Sequence, residues 1–341
     1  MKIHKFLILF AALVYFSCST SYKNVFPTLN DGKYDTEFPY INASKQLEEI
    51  SNTIQRINCI AFYNSFQLKD NSNIKKSDLT KDVIWKNLKQ NIFYEKTSSG
   101  TATILSKENG CVALLTAAHV VNFPDTIITY FSNADGQYTD EVQSISIKQA
   151  QKNYIAGFPN GSEVNILIFD NDIDVALLGK RFDPSFSITL NVFNYKIGSA
   201  KELEWGSFVY FFGFPLNYKM ISKGIVSNPS IDKKGDFLID GVVNRGFSGG
   251  IVLAIRDGVP NFELVGIIQW MPEETVSILT PPKSLKDYNE LVPYKGDEYV
   301  DQLKQYKYGI TRVISIEAIK DFIKKNKSFL IENGYHLENF Y

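Results

Sequence analysis

From residue 99 to residue 270 the chain is mostly a succession of short apolar, β-prone runs divided by Gly, Pro, Asn and Asp. Strands are expected at 99–105 and 111–117 around a Glu-Asn-Gly turn, and at 164–169 and 174–178 around an acidic bend. Further strands are expected at 207–214, 220–227, 237–243, 251–255 and 264–270. Many short strands at regular spacing restrict the fold to an all-β sandwich or barrel. An α/β architecture needs helices alternating with strands, and this stretch offers few. Outside it, 46–56 reads as a short helix, 56–63 as a first strand, and 316–330 as a C-terminal helix with apolar residues at helical spacing. The polar stretches 67–90 and 271–307 read as insertions between strands.

Three segments in this β framework carry chemistry. They are Leu115-Thr116-Ala117-Ala118-His119-Val120-Val121, then Asp172-Ile173-Asp174-Val175-Ala176-Leu177-Leu178, then Gly246-Phe247-Ser248-Gly249-Gly250. A serine hydroxyl is a weak nucleophile until an imidazole takes its proton, and a buried carboxylate must hold that imidazole in the right tautomer. Glycines beside the serine let backbone N–H groups reach a developing oxyanion. The chain has three histidines, and His119 alone lies in such a context. Asp170, Asp172 and Asp174 alternate; Asp174 is preferred because an apolar strand starts directly after it, with Asp172 second. Gly-Phe-Ser-Gly-Gly also fits the serine elbow of α/β-hydrolases, but that fold orders its triad Ser, acid, His and would leave only His336, in the polar tail, as base.

The order His, Asp, Ser resembles that of the chymotrypsin/trypsin-like serine endopeptidases, bacterial branch. Thr116-Ala117-Ala118-His119 matches the family's histidine motif and Asp174-Val175-Ala176-Leu177-Leu178 its aspartate strand. Gly246-x-Ser248-Gly249-Gly250 matches the nucleophile loop, with Phe247 in place of the usual Asp or Asn. Gly266-Ile267-Ile268-Gln269-Trp270 is similar to the substrate-binding strand.

The resemblance implies two six-stranded antiparallel β-barrels with the catalytic cleft between them, followed by a C-terminal helix. It implies catalysis by His119, Asp174 and Ser248, an oxyanion hole from the N–H groups of Gly246 and Ser248, no cofactor and no metal. Polypeptide substrates would lie antiparallel to residues 266–271, and Val242, Gln269, Trp270 and Met271 would border the specificity pocket. In the trypsin branch, an Asp at position 247 pairs with a newly cut N-terminus. Phe247 cannot, so the oxyanion loop must be ordered by apolar packing, or the chain is an impaired relative that only binds a partner. A serine esterase is the remaining alternative.

Residues 1–17 read as a signal peptide: Lys2 and Lys5 precede an apolar run, 6–16, whose helix would reach only about 16 Å, half of a bilayer core. Ser17-Cys18-Ser19 resembles a bacterial lipoprotein box, so Cys18 is the expected lipidation site and the cell envelope the expected location. Residues 18–45 read as a tether, 46–330 as the protease domain and 331–341 as a tail. Formal charge is −1 and becomes −3 without residues 1–17, which hold two lysines and no acids; this gives no case for nucleic acid. Cys59 and Cys111 lie in apolar runs; they could pair in an oxidising compartment, but the preferred reading is two small buried core residues.

Overall fold

The computed structural model describes residues 30–70, 72–133, 137–159, 162–183, 189–270, 273–281, 291, 293–306 and 309–341. After helix α1 (Ser44–Ser51) come strand β1 (Ile54–Leu68), helix α2 (Lys81–Lys86), and strands β2 (Leu88–Glu108) and β3 (Cys111–Ala117). Then follow the one-turn helix α3 (Ala118–Val121), β4 (Thr126–Ser132), β5 (Tyr138–Ile155), β6 (Asn165–Asp170) and β7 (Val175–Arg181). The strands form one seven-stranded sheet in the order β4-β5-β1-β2-β3-β7-β6.

This first unit differs from the expected six-stranded barrel in strand number and in closure. The link between the end of β5 and the approach to β6 is an isolated bridge, Tyr154 to Glu163, with Val164 N–H donating to the Asn153 carbonyl. Ile155 N–H still donates to the Ser162 carbonyl, but among the described residues no ladder continues, because Ala156 N–H turns back to the Arg56 carbonyl and Phe158 N–H to that of Ile155. The result is a half-barrel whose core holds Ile57, Cys59, Ala61, Ile104, Leu114 and Val120.

The second unit contains β8 (Lys196–Ile197), β9 (Phe208–Gly213), β10 (Met220–Asn228), β11 (Phe237–Ile239), β12 (Ile251–Ile255) and β13 (Phe262–Trp270). The 271–307 insertion carries a separate antiparallel pair, β14 (Glu273–Thr280) and β15 (Tyr299–Tyr306). β16 (Thr311–Ser315) completes a six-stranded barrel in the order β12-β9-β10-β11-β16-β13, closed by pairing of β13 with β12. The chain ends in α4 (Ile316–Lys325) and α5 (Lys327–Glu332). Ser315 caps α4 by accepting the Ala318 N–H at 3.2 Å, satisfying one of the donors a helix start leaves open. Ile316, Ile319, Phe322 and Ile323 bury its apolar stripe against the barrel, each worth about 1.5–3 kcal/mol of transfer free energy.

Three segments expected to be loose or irregular are docked. Residues 1–29 of the signal and tether lie outside the described residues, but from Tyr34 onward the chain lies on the second barrel. Tyr34 and Asp35 are buried, the Tyr34 hydroxyl donates to Glu263 Oε2 at 2.8 Å, and Arg256 lies 4.0 Å over the Tyr34 ring. In the expected tail, Tyr335, Leu337 and Phe340 are buried, and His336 is half-buried rather than solvated. In the 67–90 stretch, β1 and β2 run on as paired strands, with β5 beside β1 as far as Gln67, and Val83 and Ile84 of α2 pack against the cluster of Leu68, Val142 and Ile145. Cys59 and Cys111 are buried free thiols.

Candidate active site

His119 lies in α3, the single turn that follows β3. Its neighbour in space is set by a ladder: β3 pairs with β7, with Ala117 opposite Val175 and Thr116 opposite Ala176. Asp174 immediately precedes β7 and so arrives beside α3. Asp174 is buried, with Oδ2 2.7 Å from His119 Nδ1 and Oδ1 accepting the His119 N–H at 2.8 Å. Its carbonyl accepts the Ala118 N–H at 3.0 Å. Three hydrogen bonds thus fix imidazole and carboxylate together. Asp174 has φ +58°, a left-handed conformation that Asp tolerates better than most residues. The neighbouring acids do other work. Asp170 Oδ1 accepts the N–H groups of Asp172 and Ile173 and makes the bend, while Asp172 is exposed.

Ser248 comes from the second unit, on the loop between β11 and β12. The loop needs its glycines: a Cβ on Gly246 (φ +108°) would lie 2.2 Å from the Phe214 carbonyl oxygen. A Cβ on Gly249 (φ +80°) would lie 2.4 Å from both the Thr101 carbonyl oxygen and Thr116 Oγ1. Gly249 N–H donates to the Ile268 carbonyl and Ile268 N–H to that of Gly250, both at 2.8 Å, which ties the loop to β13. Phe247 is buried and meets Phe211 edge-on, with ring centroids 5.4 Å apart at 66°. Apolar packing therefore orders this position, as expected for a Phe in place of the trypsin-branch Asp.

Thr101, on β2, fastens this loop to the first unit. Its N–H donates to the Ser248 carbonyl at 2.8 Å and its hydroxyl to the Gly246 carbonyl at 2.6 Å. The hydroxyl accepts from Phe214 N–H at 3.1 Å, and the Thr101 carbonyl accepts the Thr116 hydroxyl at 2.7 Å. Sequence reading missed Thr101. The available signal was a threonine inside a run, 100–105, too apolar and small to be a one-faced strand.

His119, Gly246 and Ser248 line one open cavity of about 990 Å³. His119 is half exposed to it, with 44% of its side chain accessible. Among the described residues no hydrogen bond joins Ser248 to His119, and the N–H groups of Gly246 and Ser248 have no acceptor. Two unspent donors beside a serine and an oriented imidazole suit acyl transfer: a nucleophile, a base and a place for negative charge. Among the described residues no cluster of His, Cys, Asp and Glu is arranged to hold a metal ion.

The expected pocket residues fare differently. Val242 is 60% exposed and does not line the cavity; Val243, buried, does. Residue 241 faces the Phe211 ring, 242 is exposed and 243 is buried, so 242 turns outward and 243 inward. Gln269 is half-buried and leaves Oε1 without a partner. It does not line the cavity, whereas Ile268 beside it does. Trp270 contributes backbone pairing with Arg312. Met271 and Cys18 lie outside the described residues. On the opposite wall the cavity is bounded by Asn58, Cys59, Ile60 and residues 97–99 of the β1–β2 pair, which sequence reading did not single out.

Residues 100–267 match the family model of the trypsin-like peptidase domain. A search of curated proteins finds no match. Among solved structures, the chain is similar to the serine endoprotease from Yersinia pestis, at 16% identity over 88% of this chain and 70% of that one, with a TM-score of 0.39. It is similar to the HtrA-type protease AlgW with tripeptide, at 15% identity over 86% of this chain and 65% of that one, with a TM-score of 0.41. It is also similar to the scabies mite inactivated protease paralogue S-D1, at 12% identity over 87% of this chain and 96% of that one, with a TM-score of 0.37.

Proposed function

From the match of residues 100–267 to the trypsin-like peptidase domain, we propose that this chain is a serine endopeptidase acting on polypeptides outside the cytoplasm. The observation that carries the reading is the His119–Asp174 pair, held by both carboxylate oxygens in the cavity that also contains Ser248.

In this mechanism His119 Nε2 takes the Ser248 hydroxyl proton as Oγ attacks the scissile carbonyl carbon. Negative charge moves onto the carbonyl oxygen, where the Gly246 and Ser248 N–H groups donate to it. Asp174 stabilises the imidazolium and stays ionised. His119 then gives the proton to the leaving amine, and an acyl-enzyme remains on Ser248. Water, deprotonated by His119, releases the acid and restores the serine. No step needs a cofactor. In the lipoprotein part of the proposal, Cys18 anchors the exported chain to a membrane; Cys18→Ala should shift it to the soluble exported fraction.

A binding-only role is favoured by one observation, the lack of a Ser248–His119 hydrogen bond among the described residues. Catalytic hydrogen bonds often tighten only with substrate in place, so the bond's absence does not outweigh the rest of the site. Labelling by a fluorophosphonate and hydrolysis of denatured casein, both lost in Ser248→Ala, are the expected results. A wild type that neither labels nor cleaves would overturn the enzymatic reading.

A further inference from the structure

β2 runs outward from the catalytic cavity along β1, whose other side is covered by β5 as far as Gln67, and before β2 reaches β3 its outer edge is free of any described strand. β2 pairs with β1 along residues 88–103 and with β3 only from Thr103 onward. No described strand pairs with the other edge of residues 91–99. The register with β1 is unbroken from Gln90 to Thr103, so hydrogen-bonding direction alternates strictly along this stretch. Thr101 fixes the phase: its N–H and carbonyl point away from β1, to Ser248 and Thr116. Hence Asn91, Phe93, Glu95, Thr97 and Ser99 each present both backbone groups to the open side. Such an edge pairs readily with another strand unless it is blunted by proline, bulge or charge. Here there is no proline and no bulge, and Glu95 is the single charge among the five outward residues.

The edge begins inside the catalytic cavity, since residues 97–99 line it with His119 and Ser248. Beyond the cavity the outer face of the β1–β2 pair is aromatic. Phe93 is 72% exposed, Phe62 lies opposite Glu95, and Trp85 meets Phe66 edge-on at 5.6 Å and is itself exposed.

We propose that the β2 edge from Asn91 to Ser99 binds the stretch of substrate polypeptide that follows the cleaved bond, as an added antiparallel strand, with its side chains set against the aromatic face. Strand direction selects that side. β2 runs toward Ser248, so an antiparallel partner starts at the catalytic serine and runs outward toward its own C-terminus. The edge is about 30 Å long, and main-chain pairing supplies affinity with little demand on sequence. The proposal rests on the endopeptidase reading and extends its substrate to long, unfolded polypeptide.

The test uses two peptides copied from a cleavage site mapped in denatured casein. They share the residues before the bond; one stops two residues after it, the other continues for ten. Glu95→Pro removes an outward N–H and leaves the β1 ladder its donors; Phe93→Ser removes the exposed ring. The wild type should favour the long peptide by at least about tenfold in kcat/KM, and both variants should lose that preference while cleaving the short peptide at the wild-type rate. In Ser248→Ala, fluorescence anisotropy should detect the long peptide, and Glu95→Pro in that background should weaken binding about tenfold. Equal turnover of the two peptides, or a preference untouched by both variants, overturns the proposal and leaves the endopeptidase reading standing. Binding without any cleavage by the wild type overturns that reading and leaves the edge as a polypeptide-binding site. A dimer by sedimentation that Glu95→Pro dissolves, or vesicle binding that Phe93→Ser abolishes, with long-peptide binding unchanged, assigns the edge to a second copy or to a membrane and overturns the proposal.

Discussion

Phe247 is where the chain departs most from the family's nucleophile loop, and its replacement measures what orders that loop. The ring is 1% exposed and packs edge-on against Phe211. It also lies over residue 213 so closely that a Cβ there would come within 2.6 Å of it. Truncation to Ala removes a fully buried aromatic from a site with backbone on one side and a rigid ring on the other. Little collapse can follow, so the loss should fall in the range of about 3–5 kcal/mol, of which the ring pair supplies about 0.5–1.5. In a domain of this size each kcal/mol lowers Tm by about 2–4 °C, so Phe247→Ala should melt roughly 6–20 °C below wild type. Phe247→Leu nearly conserves volume and should cost about 1.5 kcal/mol or less, leaving the fold intact while loosening the loop. Its burst amplitude with a p-nitrophenyl ester should stay near one per chain, while acylation slows about tenfold. Phe247→Asp, which restores the trypsin-branch residue, should be the worst of the three, because it strips the ring and sets a carboxyl into an apolar pocket. The assays are thermal melts and ester burst kinetics. A Phe247→Ala loss below about 1 kcal/mol, or Phe247→Leu acylation at the wild-type rate, would refute the claim that the ring orders the oxyanion loop.

Thr101→Val removes two hydroxyl hydrogen bonds and should cost about 1–3 kcal/mol, while kcat falls with KM little changed and Thr101→Ser restores both; an unaltered kcat would make Thr101 merely structural. Asp174→Asn should stay folded and slow amide hydrolysis by roughly 10⁴ through the wrong imidazole tautomer, with Asp172→Asn near wild type; the reverse pattern would move the carboxylate role. Burial, opposed by the Gly258 N–H, raises the Asp35 carboxyl from 3.8 to about 6. A raised carboxyl gives stability that is complete below its unfolded value and is lost as pH rises through its folded value. At 1.36 kcal/mol per pH unit the loss is about 3 kcal/mol between pH 4 and 7. Urea unfolding of Asp35→Asn against wild type should swing in the variant's favour by that order across the interval, and a difference independent of pH would exclude Asp35 as its source.

The site was legible because each catalytic residue sits in a short context that its backbone demands. An apolar strand must end where His119 turns out, a carboxylate must precede a buried strand to be desolvated, and Gly246 and Gly249 must lack side chains because carbonyls lie where a Cβ would be. What escaped was whatever depends on partners far away in sequence. β4 and β5 were not expected, because Gln149, Gln151, Lys152 and Asn153 put polar groups on both faces and erase the period of two. Tyr34 and Asp35 looked like linker because the carbonyl of Ile255, the N–H of Phe208 and the Glu263 carboxylate that receive them are about 170 to 230 positions further on. The pocket wall missed by one residue: Val242 and Val243 are chemically alike, and only the facing of residue 241 toward Phe211 decides which points inward.

The two halves of the site are held by bonds of different kinds, which bears on how the site fails. His119 and Asp174 belong to neighbouring strands of one ladder, so their geometry is redundant: the Ala117–Val175 register, the Ala118 N–H and the His119 N–H all impose it. Ser248 comes from the second unit and reaches the first through Thr101, with the side-chain-free surface of Gly249 against Thr116. Substitutions inside either unit are therefore buffered by many ladder bonds, while a change at Thr101 acts directly on the distance between nucleophile and base. The same strand that carries Thr101 continues outward as the free edge of residues 91–99. A polypeptide paired along that edge would stiffen β2 at the point where it grips the Ser248 and Gly246 carbonyls. Ser248 and His119 make no hydrogen bond among the described residues, and β2 is the element through which a long substrate can bring them into register.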